Sequence, residues 1–204
     1  TPVGAPAAPS ISGATAGDGQ VTLTWNEPAN NGSVITSYEY RIGSGTEVST
    51  NSTALTHPVT GLTNGTQYAF QIRARNSVGA GEWSNPATNA TPVGAPAAPS
   101  ISATVPSQTG QVDLSWAAPA NNGSDILTYE IQHKLASQSW DNAQTTTITS
   151  PTTSKSITGL TAGSDYQFQV RAVNGVGESS YSTPVTATPV GAPAAPSISG
   201  ATAG

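Results

Sequence analysis

Nucleophiles, acid–base pairs and metal ligands need particular residue types at particular spacings, and the chain offers few of them. Its two histidines, His57 and His133, stand among Thr and Pro, or Gln and Lys, which supply neither a metal set nor a catalytic partner. Both read as surface histidines. The carboxylates are dispersed, and the one pair repeated at matching places is Glu39 with Glu130. A glycosidase needs two carboxyls held about 5–10 Å apart in a cleft. Glu39 and Glu130 instead alternate with inward-facing tyrosines, so they read as solvated carboxylates. Cysteine is absent, which excludes thiol catalysis, disulfides and Cys-based metal sites. "GAGEWS" has glycines but neither the Lys nor the helix of a phosphate loop. "NNGS", "NGT" and the sites at Asn51 and Asn89 match glycosylation sequons, a pattern that arises easily in a chain rich in Asn and Thr. No catalytic residue, cofactor or metal is expected, and the chain reads as non-enzymatic.

Three aromatic residues remain as candidates for surface contact. Trp83 follows a glycine turn, Tyr181 holds the same place later in the chain, and Trp140 in "SQSWD" has no earlier counterpart. Exposed rings can stack on sugars or on a neighbouring module; a ring at the start of an edge strand can equally lid a core.

The elements that position these residues follow from repetition. "TPVGAPAAPS" occurs at Thr1, Thr91 and Thr188, spacings of 90 and 97 residues. That is the size of a domain and too long for a solenoid repeat. Between the copies, "GQVTLTWNEP" and "GQVDLSWAAP" alternate apolar and polar residues, placing Val21, Leu23 and Trp25, then Val112, Leu114 and Trp116, on one face. "PANNGS" turns follow in both units, then "ITSYEYRI" and "ILTYEIQH". The strongest alternation is in "TQYAFQIRARN" and "SDYQFQVRAVN". Short alternating strands, frequent turn words and no sustained helical period predict an all-β fold of antiparallel two-sheet sandwiches.

Composition agrees. Charged residues are 8 % and hydrophobic residues 35 %, so the polar surface comes from Thr, Ser, Asn, Gln and Gly. The net charge is −5 and the six cations are scattered, which argues against a nucleic-acid partner. No apolar run approaches the length of a spanning helix, so no membrane insertion is expected of this piece.

An early-strand Trp, a Gly-Leu turn with a Tyr six residues after the Leu, then Y-x-F-x-[IV]-R-A-x-N and a glycine turn closed by Ser, together resemble the fibronectin type III domain. The matching residues are Trp25, Leu62, Tyr68, Phe70, Ile72, Ala74, Asn76 and Ser84. In the second unit they are Trp116, Leu160, Tyr166, Phe168, Val170, Ala172, Asn174 and Ser182. The resemblance implies two tandem seven-strand immunoglobulin-like sandwiches, over residues 6–91 and 96–188. Trp25, Leu62, Tyr68, Trp116, Leu160 and Tyr166 would be structural, Tyr68 and Tyr166 as tyrosine corners. Residues 192–204 read as the truncated start of a third repeat, with Ile198 in the place of Ile11 and Ile101. The Arg-Gly-Asp triplet of some family members is missing.

The Pro/Ala-flavoured joints resemble those of secreted or surface bacterial proteins. With three prolines in ten residues, the joint reads as an extended connector that holds modules in line. The expected function is a non-catalytic spacer or accessory array in an extracellular or cell-surface multidomain protein, its partners the neighbouring modules of the parent chain. The alternative is a carbohydrate- or protein-binding module, adhesive or accessory to a polysaccharide-degrading enzyme, acting through Trp83, Trp140 and Tyr181 on polysaccharide or a cell-surface protein.

Overall fold

The structure is a computed structural model that describes residues 2–193. The expected third-repeat start at 192–204, Ile198 included, lies almost entirely outside the described residues.

The period-two segments form fourteen strands among the described residues, all paired antiparallel, seven in each of two units. The first unit comprises β1 (Ser10–Gly17), β2 (Gln20–Asn26), β3 (Ile35–Ile42), β4 (Val48–Ser49), β5 (Thr56–Thr60), β6 (Tyr68–Asn76) and β7 (Thr88–Ala90). Its sheets run β1-β2-β5 and β4-β3-β6-β7. The second unit comprises β8 (Ser100–Thr104), β9 (Val112–Ala117), β10 (Ile126–Leu135), β11 (Gln144–Thr149), β12 (Ser154–Ile157), β13 (Tyr166–Asn174) and β14 (Val185–Ala187). Its sheets run β12-β9-β8 and β11-β10-β13-β14. Among the described residues the single helical element is a 3-10 turn, Trp140–Asn142. This is the all-β antiparallel fold that alternation predicts, with the seven strands in each unit that the resemblance implies.

Each core is made by the inward-facing residues of the longer strands. Val21, Leu23 and Trp25 of β2 meet Tyr38 of β3 and Phe70, Ile72 and Ala74 of β6. In the second unit Val112, Leu114 and Trp116 meet Tyr129, Ile131, Phe168, Val170 and Ala172. The tryptophans span the sheets edge to face: Trp25 lies 5.1 Å from Tyr38 and Trp116 lies 5.4 Å from Tyr129, each at 62°. Both indole rings are buried, so they contribute chiefly through area and packing.

The connections are fixed by backbone chemistry. In "PANNGS", Asn31 and Gly32 both take positive φ, 50° and 86°, which Asn and Gly tolerate. Gly110, at φ 68°, brings its backbone so close to Leu160 that a Cβ would sit 2.6 Å from the carbonyl oxygen. The Tyr68 and Tyr166 hydroxyls accept hydrogen bonds from the backbone N–H of Thr63 (3.0 Å) and Thr161 (3.1 Å), pinning the turn that precedes each strand.

Trp116→Ala is expected to cost about 3–5 kcal/mol, as for a large core aromatic. Trp140→Ala, at the half-buried 3-10 turn, should cost well under half of that. Denaturant midpoints at unchanged slope check the ranking, and equal losses would contradict this placement of the core.

Candidate functional site

The outer face of each four-stranded sheet gathers charged and aromatic side chains. Register places Glu39 opposite Arg73 and Glu130 opposite Arg171. The next component comes from the segment after β6 or β13. Ser84 bonds Ile72 twice, its N–H donating to the Ile72 carbonyl (2.8 Å) and its Oγ accepting from the Ile72 N–H (3.0 Å). Ser182 does the same with Val170. The residue before each serine is thereby laid across the sheet. It is Trp83 in one unit and Tyr181 in the other.

In the first unit the guanidinium carbons of Arg41 and Arg73 lie 4.4 and 4.5 Å from the Trp83 ring centroid. Arg73 and Arg75 both donate to the Glu39 carboxylate, at 2.7 and 2.8 Å, and Glu47 also pairs with Arg73. In the second unit Arg171 lies 4.8 Å from the Tyr181 ring and pairs with Glu130 and Glu178. Trp140 has the Lys134 ammonium 4.7 Å from its centroid. All three candidate rings are half-buried, each engaged by a cation of its own unit.

The solvated reading of Glu39 is overturned: the residue is 8 % exposed. Alternation sends it to the outer face correctly, but Trp83 and the arginines cover that face. Burial alone would raise its carboxyl pKa, yet the hydrogen bonds and charges of Arg73 and Arg75 bring it below the ordinary value. A carboxylate held ionised in this way is a poor general acid near neutrality. The repeated Glu–Arg–aromatic stack is therefore a charge-neutralised brace. Sequence reasoning found the repeated Glu pair and the repeated aromatic position separately. The link between them is the arginine of the "RA" dipeptide, whose register opposite Glu was the available signal.

The surface reading of His133 is overturned as well. It is 9 % exposed, its ring stacks on Phe168 at 5.9 Å, and its Nδ1 is buried without a partner. Burial pushes its pKa below the ordinary 6.5. His57 is half-buried beside Tyr40, at 5.4 Å, and burial lowers its pKa too. Among the described residues no three His, Cys, Asp or Glu side chains group as a metal site, and no helix is long and apolar enough to cross a membrane.

Residues 4–90 and 94–188 each match the model of the fibronectin type III domain. Chitinase A1 of Niallia circulans is 32 % identical over 181 residues, covering 83 % of this chain and 24 % of the relative. Exoglucanase B of Cellulomonas fimi is 32 % identical over 185 residues, covering 85 % of this chain and 16 % of the relative. Ephrin type-B receptor 2 of Gallus gallus is 33 % identical over 149 residues, covering 70 % of this chain and 15 % of the relative. The chain thus spans a quarter or less of the length of these relatives.

A histidine whose folded pKa is depressed leaves stability unaffected well above 6.5, where both states are neutral. Below that value the unfolded chain takes up a proton that the folded one resists, and stability falls. The second unit should therefore lose stability as pH drops below about 6.5. His133→Ile, which installs the residue found at the matching place, Ile42, should flatten that loss, while the first unit keeps the loss due to its own His57. Denaturant midpoints between pH 7.5 and 5 check it, and an unchanged slope in the variant would contradict the assignment.

Proposed function

The chain belongs to the fibronectin type III domain family, and from that premise we propose that its two modules are a non-catalytic spacer in an extracellular or cell-surface multidomain protein of bacterial origin. The observation that carries this reading is the way the repeated phrase is used. Its "TPV" half bonds to the module it follows: the Gly65 N–H donates to the Pro92 carbonyl at 2.9 Å, and the Val93 N–H to the Gly17 carbonyl at 3.1 Å. Pro189 and Val190 repeat the first of these bonds with Gly163, at 2.9 Å, and add one from the Gly110 N–H at 3.0 Å.

The "GAPAAP" half bonds to the module it introduces. The Gly4 N–H donates to the Asn31 carbonyl and the Gly94 N–H to the Asn122 carbonyl, at 3.0 and 2.9 Å. The Asn31 and Asn122 side-chain amides answer by donating to the Ala5 and Ala95 carbonyls, each at 2.7 Å. Covalently, one peptide bond separates Val93 from Gly94. Several backbone groups of the phrase are satisfied by hydrogen bonds, as those of a Gly/Ser tether are not. That suits a part whose task is to hold functional domains at a set distance and orientation.

The relatives named as chitinase and exoglucanase support an accessory role beside polysaccharide-degrading domains, and the receptor supports a surface setting. The cations resting on Trp83, Tyr181 and Trp140 engage ring surface that a sugar would otherwise use for stacking, which favours the spacer reading.

Two measurements test the reading. The Val93 and Gly94 amides should exchange with solvent as slowly as those of strand edges, and the chain should not be retained on chitin or cellulose. Random-coil exchange at Val93 and Gly94, or retention abolished by Trp83→Ala, would overturn it.

A further inference from the structure

Two modules of one fold make a control for each other: whatever only one possesses is not required by the fold. Each four-stranded sheet ends in the strand that follows its first long one, β4 in the first unit and β11 in the second. β4 is two residues long, whereas the longer β10–β11 hairpin gives β11 six. β11 pairs with β10 along its whole length without a bulge. The Ser150 N–H donates to the Leu127 carbonyl at 3.0 Å, so the even-numbered residues of β11 turn their backbone groups toward β10. Those of Thr145, Thr147 and Thr149 point the other way, where the sheet has no further strand. The Thr149 carbonyl accepts from the Thr152 N–H at 3.3 Å and keeps a second lone pair.

An open edge of this length is a template for another strand, and proteins blunt such edges by shortness, charge, proline or a bulge. Among the described residues the other edges are managed in these ways or covered. β4, β7 and β14 have two or three residues, β5 holds Pro58, and β12 holds Lys155. β1 shifts register between Ile11 and Gly13, and β8 runs against β14 of its own unit. β11 has none of these devices within its length. Between Asp141 and Lys155 no residue is charged. The side chains of Thr145, Thr147 and Thr149 are exposed.

We propose that β11 pairs antiparallel with β11 of a second copy of this chain, joining two four-stranded sheets into one of eight strands. The strand is complementary to itself about a two-fold axis at Thr147. There Thr147 meets Thr147 and Thr145 meets Thr149, each pair exchanging backbone hydrogen bonds across the seam. Their side chains make a row of threonine pairs on the outer face, a favourable cross-strand combination. On the inner face Ile148 stands opposite Thr146. No like charges meet at the seam, although the chain carries −5 overall. A foreign segment finds no charge along β11 by which to be selected, whereas a second copy matches it residue for residue. Each chain has one such edge, so association closes at two. One strand pair is a small interface, which sets the midpoint on the order of 0.1 mM.

Sedimentation equilibrium of the whole chain tests the pairing: between about 0.01 and 1 mM the mass should rise from that of one chain toward that of two. Over the same range the Thr145, Thr147 and Thr149 amides should shift and gain protection, and those of β4 should not. Thr147→Pro removes an outward N–H without breaking a bond to β10, and should weaken association at least about 10-fold. Thr147→Lys and Thr147→Glu each set like charges opposite and should weaken it comparably; an equimolar mixture of the two should recover it. These two variants change an exposed side chain and leave every ladder bond, so they test the seam even if the proline variant unfolds. A mass of one chain at about 1 mM, or growth past two, would overturn the pairing. So would undiminished association of a folded Thr147→Pro, or a mixture no tighter than its components. None of these outcomes bears on the exchange rates of Val93 and Gly94, so the pairing and the spacer reading fail separately.

Discussion

The contact on which each module depends is one tryptophan ring packed edge to face with one tyrosine ring, across the gap between two sheets. Trp25 belongs to the three-stranded sheet and Tyr38 to the four-stranded one; Trp116 and Tyr129 repeat the arrangement. With no disulfide to staple the sheets, this pair sets their separation and the aliphatic side chains fill the rest. The tyrosine hydroxyls of Tyr68 and Tyr166 then fix the turn feeding the strand opposite, so the register of the four-stranded sheet follows from two aromatic decisions per module.

Once the inner faces are spent on packing, the outer faces are free to differ, and they differ in an ordered way. The Glu–Arg pair is kept in both modules, while the ring above it changes from tryptophan to tyrosine and the second arginine beside Glu39 becomes Val173 opposite Thr128. The stack holds down the long segment after β6 or β13. Its charges are satisfied within the module, which leaves the surface polar but nearly uncharged.

Most of the fold was legible in the sequence because period-two alternation is a local signal. Val21, Leu23 and Trp25 announce a buried face without reference to anything distant. Glu39 and His133 were misread because their burial is not local. Alternation sends Glu39 outward, and Arg73 and Arg75, more than thirty positions later, close over it. His133 lies at the end of a strand whose first-module counterpart is an isoleucine, and it is sealed by a hairpin extension that no period describes.

The division of the phrase between two neighbours carries a consequence for how such a chain can change over generations. Because the same ten residues close one module and open the next, two copies of the phrase are interchangeable at every position. A genetic crossover between any two of them joins a proper ending to a proper beginning, whichever codon it falls in. Modules can then be gained or lost whole, with no half-domain exposed at the seam. The repeated words make the number of modules adjustable while the join between them stays the same.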